Sequence, residues 1–164
     1  MGKARTYGFS RYAGLVALGL CGAAAAAPQE LQDWKLDCTS GSCTASQTVA
    51  AEDGTWLVTV RLMNGTDALP AGTKLAEVIV PAGVHLASGL FLGFDGEMGQ
   101  AEWQRCTGQS CHAALALDAP MQARWRSGAA SEIRYRPAPD GPVISFDLSL
   151  MGVTDALAAL EAAQ

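Results

Sequence analysis

A chain of 164 residues with 49% hydrophobic and 16% charged residues can build one domain around a buried core, and it is neither polar enough for disorder nor apolar enough for a multi-span membrane protein. Eighteen glycines beside so few charges suit a turn-rich all-β fold better than a helical bundle. The net charge of −5 argues against nucleic acid and anionic lipid as direct partners, since both are bound by Lys and Arg neutralising phosphates.

Residues 1–26 have the make-up of a cleaved export signal. Lys3, Arg5 and Arg11 form a basic start, residues 12–22 an apolar stretch, and the alanines that follow supply a small-residue cleavage site. Cleavage after Ala25 or Ala26 leaves 27–164 as a single mature domain, because Pro28 directly after the cut would be a poor peptidase substrate. The apolar run falls short of the ~20 residues of a membrane span, so no transmembrane span is expected after cleavage. Cys21 suggests a lipoprotein, but Leu20 stands where a small residue belongs. Without the signal, eight basic residues face sixteen acidic ones, a net −8, and the acidic balance sharpens.

The mature chain opens with an alternating segment at 33–38 (DWKLDC), which puts Trp34 and Leu36 on one face, and 43–49 returns after the tight CTSGSC turn as the second strand of a hairpin. In residues 56–63 (WLVTVRLM), Trp56, Val58, Val60 and Leu62 face one way. Asn64-Gly65 turns the chain into a loop, and the triplet Asn64-Gly65-Thr66 is read as a turn rather than a glycan site. Residues 75–80 and 90–94 are near-continuous apolar runs, as expected of strands covered on both sides. Asp95-Gly96 is a turn; Asp95 and Glu97 fall far short of the 6 to 8 oxygens of a calcium site. Residues 103–106 and 112–117 pair across a second turn, CTGQSC.

After Asp118, a short helical turn near Pro120 ends at Gly128, with Asp118 as its cap. Residues 131–135 and 143–150 form a further hairpin, with Ile144, Phe146, Leu148 and Leu150 on one face. Val153, Ala156, Leu157 and Leu160 recur at helical spacing, which predicts a C-terminal helix that starts near Thr154 and caps an open end of the fold. The sum is an all-β, sandwich-like domain of about eight or more strands.

Four cysteines in an exported chain read as disulfides. Each of the pairs Cys38/Cys43 and Cys106/Cys111 is separated by a glycine and small polar residues, so each can turn back to bring its Cα atoms within the ~4.4 to 6.8 Å a disulfide needs. Such short loops contribute about 2 kcal/mol each and pin turns rather than the whole domain. The rival is zinc, invited by His112 beside Cys111, but thiolates in an oxidising compartment pair with each other and the C-x-x-C spacing is absent.

The only histidines are His85 and His112, and neither sits in a signature joining a nucleophile to its base. No phosphate-binding glycine motif is present, and no cofactor is implied.

The ordered series Trp34 and Cys38, Cys43 and Gln47, VPAGVHLASGLFLGFDG at 80–96, C-x4-C-x-A from Cys106 to Ala113, and SLMGVTDALAAL at 149–160 resembles the invasion associated locus B family over nearly all of the mature chain. The resemblance implies a small exported protein of a Gram-negative bacterium with no established catalytic activity, in a family named after a member linked to invasion of host red cells. Two positions depart from the pattern: the usual P-L-G-V-x-L reads PAGVHL, with His85 inside it, and Val153 replaces an aromatic.

The expected function is recognition by a non-catalytic protein in the periplasm, associated with the outer membrane, or secreted, whose partner is a protein or envelope component. The late cluster Arg124, Arg126, Arg134 and Arg136, interrupted by Glu132, reads as a solvated strand face, and the expected contact surface comprises Trp103 and Trp125, with Arg124 and Arg126 flanking the latter. The alternative is a small periplasmic hydrolase or metal-dependent enzyme using His85 or His112.

Overall fold

The computed structural model describes residues 27–163 except Ser40 and Asp95. The export-signal segment with Cys21, and Asp95 of the Asp95-Gly96 turn, therefore lie outside the described residues. Ten strands and two helices follow in order: β1 (Gln29–Leu31), β2 (Trp34–Thr39), β3 (Ser42–Ala50), β4 (Trp56–Asn64), β5 (Lys74–Pro81), β6 (Leu90–Phe94), β7 (Glu97–Cys106), β8 (Ser110–Leu117), α1 (Ala119–Ser127), β9 (Ala130–Tyr135), β10 (Ile144–Ser149) and α2 (Val153–Ala162). A 3-10 turn at Leu86–Ser88 precedes β6.

The strands form one antiparallel sheet in the order β1-β2-β3-β4-β5-β8-β7-β6-β9-β10. β7 is ten residues long and serves two neighbours: its first half pairs with β6 and its second half with β8. A register shift between Trp103 and Arg105 interrupts the second pairing, and an irregularity of this kind bends a strand and raises its twist. The all-β expectation holds, and its two layers are halves of a single sheet joined through β7. The far ends of the sheet come together at one corner, where the Trp34 indole N–H donates to the Ser149 carbonyl at 3.2 Å and the Asp33 amide donates to Met151.

Alternation explains most of the packing. Val58, Val60 and Leu62 of β4 are fully buried, as are Ala76, Val78 and Val80 of β5, while their neighbours along each strand face outward. The near-continuous apolar run of β5 had suggested cover on both faces. Instead burial alternates along it, and Leu75, Glu77 and Ile79 are only half-buried on the outer face. Trp56, expected inside, is also half-buried, and its indole N–H donates to Thr59.

Both disulfides are local, Cys38–Cys43 and Cys106–Cys111. Each joins residues directly opposite one another in a hairpin, so the Cα atoms are 4.0 Å apart, closer than the turn argument supposed.

Helix α1 starts as its sequence predicts: the Asp118 carboxylate accepts from the Met121 amide at 2.9 Å, Pro120 sits in the first turn, and the Gly128 amide closes the end on Arg124. Helix α2 buries Val153, Ala156, Leu157 and Leu160 against β1 to β4 and α1. It begins at Gly152, whose φ of +91° is open to glycine, and a Cβ there would drive into the Leu31 carbonyl oxygen. Its last turn is tied to the sheet by Asn64, whose side-chain amide donates to Leu160 and whose oxygen accepts from Lys74 Nζ at 2.8 Å. Lys74 is fully buried, and desolvation pushes its pKa below the usual lysine value.

Candidate functional site

The residues expected to make the contact surface are not brought together. Trp125 is 0% exposed and packs against Trp34 with ring centroids 6.3 Å apart, which corrects its assignment to a contact surface. It shares the inner face of α1 with Gln122, three residues earlier, and Gln122 donates to the Gly72 and Leu117 carbonyls. Arg124 and Arg126 point elsewhere: both are solvent-accessible, pairing with Glu97 and Glu161.

Trp103 is half-buried near the other end of β7, and its indole N–H donates to the Leu86 carbonyl at 3.0 Å. Six residues of strand separate it from Glu97, the partner of Arg124, and that is about 20 Å at the rise of a β-strand.

The two histidines sit on different parts of the sheet. His85 precedes the 3-10 turn; its amide donates to Arg136 at 2.8 Å and its Nδ1 lies 2.8 Å from the Ser88 hydroxyl. His112 belongs to a polar cluster on the outer face across β4, β5, β7 and β8. Its Nδ1 is 2.8 Å from Glu77 Oε1, its Nε2 is 3.1 Å from Ser110 Oγ, and Arg61 holds the other Glu77 oxygen at 3.2 Å. Arg105 approaches the same imidazole at 3.4 Å.

Serine, imidazole and carboxylate in that order are the parts of a nucleophile, a base and its orienting acid. The donor for an oxyanion is engaged, however: the amides of Ser110 and Gln109 both donate to the Thr107 hydroxyl, at 3.1 and 3.2 Å. In proteases of the chymotrypsin type the nucleophile's own amide faces the developing oxyanion. The cluster laces four strands together through polar side chains. The sulfurs of the four described cysteines are consumed in disulfides, and no group of three or more metal-ligating side chains is found among the described residues.

The feature the sequence did not reveal is a groove of about 350 Å³ beside the 3-10 turn, lined by Phe91, Met98, Arg134, Tyr135, Arg136 and Val143 with Ser88 at its edge. Pairing of β6 with β7 and with β9 sets Phe91 opposite Gln100 on one side and Arg134 on the other. Gly89, at φ +75°, leaves room for the Phe91 ring, which would otherwise meet a Cβ. Val143 and Leu86 are 45% and 44% exposed, so the apolar surface continues from the groove to the rim.

The two arginines differ. Arg134 is bound to Glu132 through two hydrogen bonds, which hold the Glu132 carboxyl below its usual range and raise the guanidinium. Arg136 donates to the Gly141 carbonyl and has no carboxylate partner among the described residues. Burial pushes the Tyr135 phenol up. Of the lining residues only Arg134 and Arg136 stand out in the sequence, as half of the cluster they form with Arg124 and Arg126; the apolar wall is assembled from strands distant in the chain.

Fold and site together define a small curled-sheet protein with two hairpin-end disulfides and a surface groove beside the 3-10 turn. The family description "Invasion associated locus B (IalB) protein" matches residues 26–161, and the chain belongs to that family. It is 28% identical over 153 residues to an invasion protein B homolog of Brucella abortus (strain 2308), across 89% of this chain and 86% of that one. The crystal structure of invasion associated protein B from Bartonella henselae superposes with a TM-score of 0.72 at 18% identity, covering 84% of this chain and 97% of that one, a likeness of fold. No helix among the described residues is long and apolar enough to cross a membrane.

Proposed function

We propose that this is an exported, non-catalytic envelope protein that works by recognition, with residues 1–26 removed and 27–164 forming one domain. The observation that carries the reading is the face beside the 3-10 turn, where exposed Leu86, the Trp103 edge and the groove offer apolar anchors on a rigid sheet. Two disulfides suit an oxidising compartment, the periplasm or beyond it at the outer membrane or outside the cell. The acidic balance steers the chain away from nucleic acid and anionic surfaces. The partner on this reading is a protein or another envelope component.

The test is affinity capture from crosslinked envelopes with the wild type and with Leu86→Asp and Trp103→Ala, each verified as folded. Loss of the same captured species in both variants supports this face, and an unchanged captured set overturns it. A second reading, a small hydrolase with His112 as base, is favoured by the Ser110–His112–Glu77 chain alone. Labelling of the wild type but not of Ser110→Ala by a fluorophosphonate would establish it in place of the first.

A further inference from the structure

Building on the recognition reading, we infer that the groove between β6, β7 and β9 binds the carboxylate of a medium-chain fatty acid, with Arg136 holding the head and Phe91, Met98 and Val143 covering the chain. Three observations lead there. The first is charge. Of the six described arginines, Arg61, Arg124, Arg126 and Arg134 are each paired with a glutamate; Arg105 and Arg136 have no carboxylate partner among the described residues, and of these two it is Arg136 that lines an apolar recess, while Arg105 lies against His112. A planar guanidinium in such a place matches a carboxylate through two parallel hydrogen bonds.

The second observation limits the ligand's charge. Glu132 already neutralises Arg134, so the groove offers one net cation, which suits a monoanion better than a phosphate bearing close to two charges. The third is size. About 350 Å³ lies at the small end of the roughly 300 to 1,000 Å³ of small-molecule pockets. That is room for one short chain, not for the two of a phospholipid. His85 is not part of the lining and meets the lining residue Ser88 through Nδ1 at 2.8 Å, which leaves Arg136 as the head-group ligand.

The test is titration calorimetry of the purified protein with decanoate below its micellar concentration, beside acetate and the neutral decyl maltoside. NMR shift mapping is used to locate the contact. Saturable one-to-one binding of decanoate, none of acetate, and shifts confined to β6, β7 and β9 are expected. Arg136→Gln should weaken decanoate about tenfold or more, the scale of a lost charge-assisted hydrogen bond. Met98→Glu, on the half-buried outer face, should weaken it through the chain instead, and thermal unfolding verifies that both variants fold.

Equal binding of the neutral decyl compound, or unchanged affinity in Arg136→Gln, overturns the inference. So does Arg136-dependent binding to anionic phospholipid vesicles without binding of free decanoate, since the face would then dock on a membrane. If decanoate fails while Leu86→Asp still abolishes envelope capture, recognition stands and the fatty acid does not; if capture is unaffected and decanoate binds, the reverse holds.

Discussion

Trp34 and Trp125 are both fully buried and pack on each other, yet replacing each by phenylalanine is expected to have different consequences. The indole N–H of Trp34 reaches the Ser149 carbonyl at 3.2 Å, whereas that of Trp125 is buried with no acceptor among the described residues. Both variants lose comparable ring volume. Trp34→Phe also loses a hydrogen bond, worth about 1 kcal/mol net, and leaves the carbonyl short of a donor, whereas Trp125→Phe relieves a buried unsatisfied donor that costs about 1–3 kcal/mol. The difference should be about 2–4 kcal/mol, with Trp34→Phe the less stable. Urea unfolding followed by circular dichroism reads it directly: with a slope of about 2 kcal/mol per molar, the midpoints separate by about 1–2 M. Coincident midpoints, or a lower one for Trp125→Phe, would refute the reasoning from polar satisfaction.

Gly152→Ala should cost at least about 2 kcal/mol, because it adds a clash with Leu31 to a left-handed φ. Gly41→Ala, at φ +81° with open space around it, should cost only about 1 kcal/mol; equal thermal shifts would sink the contrast. The pKa of Lys74 is lowered from 10.5 by desolvation, so between the lowered value and 10.5 the unfolded chain binds more protons than the native one and stability rises with pH. Lys74→Met should flatten that alkaline rise in melting temperature, and parallel profiles for the two proteins would count against it. Replacing Cys106 and Cys111 together by alanine should cost about 2 kcal/mol while leaving the far-ultraviolet spectrum of the sheet intact; loss of the sheet signal would show that the bond does more than pin a turn.

What could be read from the sequence was local. The alternation of β4, the Asp118 cap with Pro120, and the 3.6-residue period of α2 each express a rule confined to a few neighbours, and each element lies where expected within a residue or two. β1 escaped because three residues, QEL, carry no period. The first half of β7, EMGQAE, escaped because only Ala101 there is fully buried.

Trp125 was misread through its flanking arginines. Successive residues on a helix point about 100° apart, so charged neighbours say nothing about the side between them. The groove could not be foreseen, since β6, β7 and β9 meet only through a sheet order that sequence spacing does not encode.

That order bears on how the chain is made. β5 does not wait for β6; its second neighbour is β8, which begins at Ser110, well after β5 ends at Pro81. A chain emerging from its N-terminus therefore completes a five-strand meander whose last edge, KLAEVIVP, stays unpaired until the β7–β8 hairpin has followed it. An open apolar edge of that kind is a template for another chain. Closing the Cys106–Cys111 bond early would deliver β8 as part of a preformed ribbon, shortening the interval in which two nascent molecules can pair with each other.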